Sequence, residues 1–226
     1  MPMKASGEST SLAEIDRWSD GVGWFAHPDE AMQRASHAFA VDDEVWVVDP
    51  VDAAGLDDIL AEFGTIAGVV VLLDRHKRDA GQVARRHDVS VHVPHWMTGV
   101  AGEFDAPVER IRTELGDTGY GVHPIIDNRL WQEAALYGES TGQLIVPEAL
   151  GTAAFFRRPG QRLGVHPALR LFPPKRLARF APRRLDVGHG AGIDTDVSET
   201  IEQAIDRSRR TAPGLYAGIV RESLFG

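Results

Sequence analysis

Residues 38–48, AFAVDDEVWVV, set two apolar stretches about the polar trio Asp42, Asp43 and Glu44. A polar centre between β-branched and aromatic residues predicts a hairpin, with its second strand ending at Asp49 and Pro50. In the next segment, GLDDILAEFG, Leu56, Ile59, Leu60 and Phe63 recur at helical spacing. It stops at Gly64, a residue suited to the left-handed conformation after a helix end. IAGVVVLL (66–73) is too uniformly apolar for a half-exposed strand and predicts a buried one. RDAGQVARRHD (78–88) returns to helix and VSVHVP to strand, so the first half alternates strand and helix in the manner of an α/β fold.

The second half begins with an imperfect strand over 108–115. EAALYGESTGQLIVPEAL follows, with two apolar runs around GESTG that predict another hairpin. PPKRLARFAP (173–182) reads as a short helix bracketed by prolines, RRLDVGHG as a strand running into a glycine turn, and DVSETIEQAIDRSRR as a helix capped by Asp196 or Ser198. The remainder to Phe225 also reads as helix. No repeat of fixed period and no linker interrupts the order, which predicts one domain over residues 1–226. Two α/β halves with facing sheets fit it, as does a doubly wound sheet.

Composition narrows the chemistry. A chain of 226 residues that is 43% hydrophobic can bury a substantial core. Its longest apolar run is far short of the roughly 20 residues a bilayer crossing requires, and no signal-peptide pattern precedes it, so the expectation is a cytoplasmic protein without membrane partners. Cysteine is absent, which excludes disulfides, thiolate metal sites and a cysteine nucleophile, so any metal must rely on His, Asp and Glu. A net charge of −9 opposes attraction to phosphate backbones and argues against nucleic acid as a partner. No nucleotide-binding glycine loop or serine-hydrolase elbow is present. The expected partner is a small-molecule substrate or ligand, and oligomeric state stays open.

Ionisable residues gather at four predicted strand ends, the usual position of ligands on α/β sheets. They are Asp49, the run Asp74-Arg75-His76-Lys77-Arg78-Asp79, Glu148 after LIVP, and His189 between Gly188 and Gly190. The run 74–79 is equally a solvated, mutually paired turn at a helix start. His189 can be a satisfied histidine in a glycine turn, and Glu148 an ordinary strand-end carboxylate. His92 and His95, after the third strand, read as packing residues.

The order of these motifs resembles the metallo-β-lactamase superfamily over roughly residues 36–195. VWVVDP is similar to its first motif, with Asp49. DRHKRD falls at its H-x-H-x-D-H loop, ALYGESTGQLIVPEAL at the hairpin bearing its bridging carboxylate, and VGHG at its closing histidine. The resemblance implies a four-layer αββα sandwich with mixed sheets and a metal-dependent hydrolase of an ester, thioester, lactone or phosphoester. The motifs are altered. Only His76 keeps the family's residue in the loop, the bridging Asp is replaced by Glu148, and the third histidine falls near Arg129, with His123 six residues earlier. Arginine has no lone pair to give, so Arg78 cannot ligate, and its charge opposes a second cation. The resemblance then implies at most one divalent metal on His76, Asp79, Glu148 and His189, zinc foremost and iron or manganese as alternatives, with Asp49 and Asp74 as catalytic carboxylates. The other reading is an inactive binding protein of the same fold, in which Arg78 replaces the metal.

Overall fold

The structure, a computed structural model, describes the backbone of residues 2–5, 7 and 9–225 and side chains as far as residue 218. The predicted first hairpin is present. β3 (Ala35–Val41) and β4 (Glu44–Val48) pair antiparallel across Asp42 and Asp43, whose positive φ angles of 51° and 63° give the turn that suits strand twist. α1 (Leu56–Ala61) buries Leu56 and Leu60 and returns the chain to β5 (Thr65–Val70), parallel to β4. Gly64 makes that return with φ 141°, and a Cβ there would lie 2.0 Å from the carbonyl oxygen of Asp43. α2 (Ala80–Arg86) then leads to β6 (Val91–Pro94), and β7 (Val108–Ile111) closes that edge, ending four residues short of the expected Leu115.

Two strands unforeseen in the sequence, β1 (Ala13–Trp18) and β2 (Gly21–Phe25), complete a seven-stranded mixed sheet in order β1 to β7. The second sheet, also mixed, has β8 (Tyr120–Asn128), β9 (Trp131–Gly138), β10 (Gln143–Val146) and β13 (Arg184–Val187), in the order β13-β10-β9-β8. The predicted hairpin around GESTG is the β9–β10 pair, and β10 runs parallel to β13. A small pair, β11 (Leu150–Gly151) and β12 (Gly164–Val165), lies between. The helix expected over 173–182 is instead a 3-10 stretch, Lys175–Arg179. Prolines at both ends leave too few residues to propagate an α-helix past its costly first turn.

Period-two alternation sorts the second sheet's side chains into two cores. Leu144 and Val146 of β10, with Leu185 and Val187 of β13, pack on Ile201, Ala204 and Ile205 of α3 (Val197–Phe225). The intervening Ile145, with Ala134 and Leu136 of β9, faces Val22, Trp24, Phe39 and Val47 of the first sheet. Phe39 and Tyr120 stack across the two sheets with ring centroids 4.3 Å apart. Helices α1 and α2 cover the outer face of the large sheet and α3 that of the small one, giving the α-β-β-α layering that the resemblance implies. Among the described residues no helix is long and apolar enough to cross a membrane.

One end of the sandwich is joined by backbone hydrogen bonds at two seams. On one side the amide of Ala134 donates to Leu72 O (2.8 Å) and that of Asp74 to Gln132 O (3.1 Å). On the other, Ala35 N donates to Gly188 O (3.0 Å) and Gly190 N to Gln33 O (2.8 Å). The four strand-end motifs meet between these seams.

Candidate metal centre

Asp49 follows β4 with a positive φ of 45°, a conformation costly for a residue with a side chain. Its buried carboxylate spans two neighbours. Oδ1 accepts the amide of Leu72 (3.0 Å), and Oδ2 lies 3.3 Å from Nδ1 of His76. A carboxylate at Nδ1 places the imidazole proton there and leaves the Nε2 lone pair facing away from Asp49. Nε2 is 3.3 Å from Oε2 of Glu148.

Glu148 is delivered by β10 through Pro147. Its amide (2.9 Å) and that of Ala149 (2.7 Å) both donate to Oε1 of Glu133, a wholly buried residue of β9 whose Oε2 accepts from Trp131 Nε1 (2.8 Å). Burial raises the Glu133 pKa to about 7, against the pull of those three donors. Burial would also raise Glu148, but the adjacent His76, when its ring carries a second proton on Nε2, outweighs it through hydrogen bond and charge and holds Glu148 below the ordinary carboxylate value.

His189 follows β13 between glycines that the packing requires. A Cβ on Gly188 would stand 2.1 Å from Pro147 O, and one on Gly190, at φ 93°, would stand 2.2 Å from Thr152 Oγ1. Its Nδ1 donates to Met32 O (2.9 Å) and its ring stacks on Phe156 at 5.3 Å. Burial first, then the charges of His76 and Arg78, lowers its pKa to about 3, so the ring is neutral at physiological pH with Nε2 unprotonated. His76, Glu148 and His189 each present one donor atom, and the three atoms lie within 4.8 Å of one another.

Arg78 stands beside this cluster, also at positive φ (41°). Nη1 donates to Ala35 O (2.6 Å) and Asp49 O (2.7 Å), and Nη2 donates to Gly188 O (3.1 Å) and lies 3.5 Å from His76 Nε2. One guanidinium thus ties the start of β3, the end of β4 and the end of β13. Burial lowers its pKa to about 10, which still leaves it charged at neutral pH.

The remaining sequence candidates fall outside the three-donor cluster. Asp79 accepts the amide of Asp52 (2.8 Å) with Oδ2, and Asp74 Oδ2 accepts the amide of Gln132 (3.0 Å) while Oδ1 is buried without a partner. Arg129 is exposed in the turn between β8 and β9, and His123 packs its ring against Phe180. His92 packs edge-on against Trp46. Two residues that sequence reasoning passed over do border the cluster: Glu133, and His166, whose Nε2 is 3.4 Å from Glu148 Oε1. At the rim the Arg75 guanidinium covers the Trp131 ring at 4.2 Å and comes within 3.8 Å of Glu148.

No protein-family profile and no curated protein matches the sequence. Solved structures do. The DIM-1 metallo-beta-lactamase is 12% identical, with 92% of this chain and 99% of that chain covered at a TM-score of 0.61. A metallo-beta-lactamase from Pontibacter korlensis is 10% identical, covering 87% and 99% at 0.63. A metal-soaked Flv1 flavodiiron core from Synechocystis sp. PCC6803 is 9% identical, covering 88% of this chain and 61% of that chain at 0.62. At such identities the likeness concerns the backbone alone, and it shows the fold: the chain has the metallo-β-lactamase fold.

Proposed function

We propose that the chain is a metal-dependent hydrolase holding one divalent ion on His76, Glu148 and His189, with zinc foremost and iron or manganese as alternatives. The observation that carries this reading is the convergence of three electron-pair donors whose imidazoles are already oriented. Asp49 fixes His76 and Met32 O fixes His189, each at the nitrogen turned away from the cluster. Such outer acceptors commonly set the tautomer and direction of metal-ligating histidines. Two nitrogens and one carboxylate suit a transition metal with open positions.

Arg78 supports one ion rather than two. At about 4 Å and an effective dielectric of 20, a unit charge repels another by about 4 kcal/mol, and a dication by twice that. The carboxylates of Glu148 and Asp49 offset this for a single ion. A bound ion of this type would acidify water and polarise a carbonyl or phosphoryl oxygen, which supports hydrolysis of a small ester, thioester, lactone or phosphoester as the reaction. In this reading Asp49 works through His76 as a positioning residue, since both its oxygens are engaged. Asp74, two residues from His76, is the second carboxylate of this reading, and its Oδ1 is buried without a hydrogen-bond partner among the described residues. The folds of the hydrolytic metallo-β-lactamases and of the flavodiiron core support metal chemistry in general and leave iron in consideration. The net charge of −9 supports a small-molecule substrate over nucleic acid.

The three-carbonyl grip of Arg78 supports a second reading, an inactive binding protein in which the guanidinium stands where a cation would. Elemental analysis by plasma mass spectrometry of wild type, His76→Ala and His189→Ala separates the two. Near-stoichiometric metal in wild type that is lost in both variants is the expected result. Wild type that stays metal-free after incubation with zinc, iron and manganese would overturn the hydrolase and leave the Arg78 reading.

A further inference from the structure

His166 lies where the chain leaves β12, in a part of the sequence with no metal-binding motif. Its Nδ1 accepts the amide hydrogen of Ala168 (3.2 Å), capping the 3-10 turn Pro167–Leu169. A backbone N–H has only a proton to offer, so Nδ1 must carry the lone pair, and the neutral ring bears its proton on Nε2. That nitrogen lies 3.4 Å from Oε1 of Glu148, within ion-pair distance. The ring cannot drift from this position. Trp131 and Phe156 meet it edge-on at 4.9 and 5.4 Å, Phe155 adds a contact at 5.8 Å, and only 14% of the side chain is exposed.

The two oxygens of Glu148 are thereby distinguished. Oε2 is turned toward His76 Nε2 and Oε1 toward a proton donor fixed by its own cap. Among the described residues the other polar groups near this carboxylate are His76 and His189, both in the donor cluster, and Arg75, whose side chain is 43% exposed at 3.8 Å. We propose that His166 is a positioning residue for Glu148: its Nε2–H holds Oε1 aside so that Oε2 is presented to the ion bound with His76 and His189. The inference rests on the metal-centre reading above and makes His166 an outer partner rather than a fourth ligand. Ligation through Nε2 would shift the proton to Nδ1, where it would oppose the Ala168 amide. Contacts of this outer kind are worth about 10- to 100-fold in metal affinity.

The test is the zinc dissociation constant, measured by competition with a chromophoric chelator, for wild type, His166→Leu and His166→Gln. Long-range nitrogen–proton NMR of the metal-free wild type accompanies it. Leucine fills the aromatic pocket without a donor, whereas the glutamine amide can restore an N–H toward Oε1. The expected result is a loss of affinity of about 10- to 100-fold in His166→Leu, recovered in large part by His166→Gln, with metal-free melting temperatures of the three proteins close together. The NMR spectrum is expected to show the Nε2-protonated tautomer at His166. Equal affinity in wild type and His166→Leu, no recovery by glutamine, or a proton on Nδ1 would each overturn the positioning role and leave the metal centre standing. Wild type that binds no zinc, iron or manganese would overturn both.

Discussion

At the scale of single residues, the site is governed by which groups burial keeps neutral. His189, with a folded pKa near 3, and His166, lowered to about 4 chiefly by burial, both lie below the ordinary histidine value of 6.5. As pH falls through about 6.5 the unfolded chain takes up protons at these positions while the native protein does not, so each histidine costs stability progressively. Glu133, raised to about 7 against an ordinary 4.5, acts in the opposite sense. It is protonated first in the folded state, and adds stability as pH falls from about 7 to 4.5. These two histidines oppose one carboxylate, and His92 and His123, also lowered chiefly by burial, act in the histidines' sense. The melting temperature of the metal-free protein should therefore decline from pH 6.5 to 4.5 and fall more steeply below, where Glu133 no longer compensates. In His189→Gln, with one of the opposing histidines gone, the decline between those two values should be shallower than in wild type in a calorimetric series. A variant that declines as steeply as wild type would show that His189 is not held neutral.

At the scale of elements, what was legible in the sequence depended on whether a local signal decided the outcome. The β3–β4 and β9–β10 hairpins declared themselves because polar or glycine turns sat between apolar runs, and β5 because nothing polar interrupted it. The β1–β2 hairpin was hidden: GVGWF carries glycines that weaken strand propensity, and its reason for them is tertiary. A Cβ at Gly21 would stand 2.3 Å from the Trp18 ring and from Ala38 O. β8 was hidden by Pro124, which the sheet accommodates where the register slips between Pro124 and Ile126. Asp49, His76, Glu148 and His189 were legible as strand-end residues. Glu133 and His166 were not, because a mid-strand carboxylate and a histidine after a two-residue strand have no periodic mark; only the fold carries them to Glu148. The closing glycine motif is the element most exposed to test. In Gly188→Ala the new methyl would meet Pro147 O at 2.1 Å and press on the turn that carries both Glu148 and an Arg78 contact. This variant should lose roughly 1–3 kcal/mol of stability in denaturant titration and weaken metal binding as well. A change confined to stability would separate the turn from the site.

At the scale of the whole molecule, the three proposed ligands do not belong to one layer. His76 comes from the loop after β5 of the large sheet, and Glu148 and His189 come from the ends of β10 and β13 of the small one. An ion held by all three would act as a gauge of the spacing between the sheets. Whatever alters that spacing must alter its affinity, and by reciprocity the ion must resist the alteration. The Phe39–Tyr120 stack, which spans the same gap through apolar contact alone, is the place to read the gauge. Phe39→Ala should lower metal-free stability by about 3–5 kcal/mol. It should also speed metal release without touching a ligand, and added zinc should restore part of the lost melting temperature. Unchanged release in a protein so loosened would mean that the two layers keep their separation independently of the ion. Coupling of this sort would make the metal centre a sensor of the core, so that the cofactor's residence time reports on packing at the middle of the sandwich.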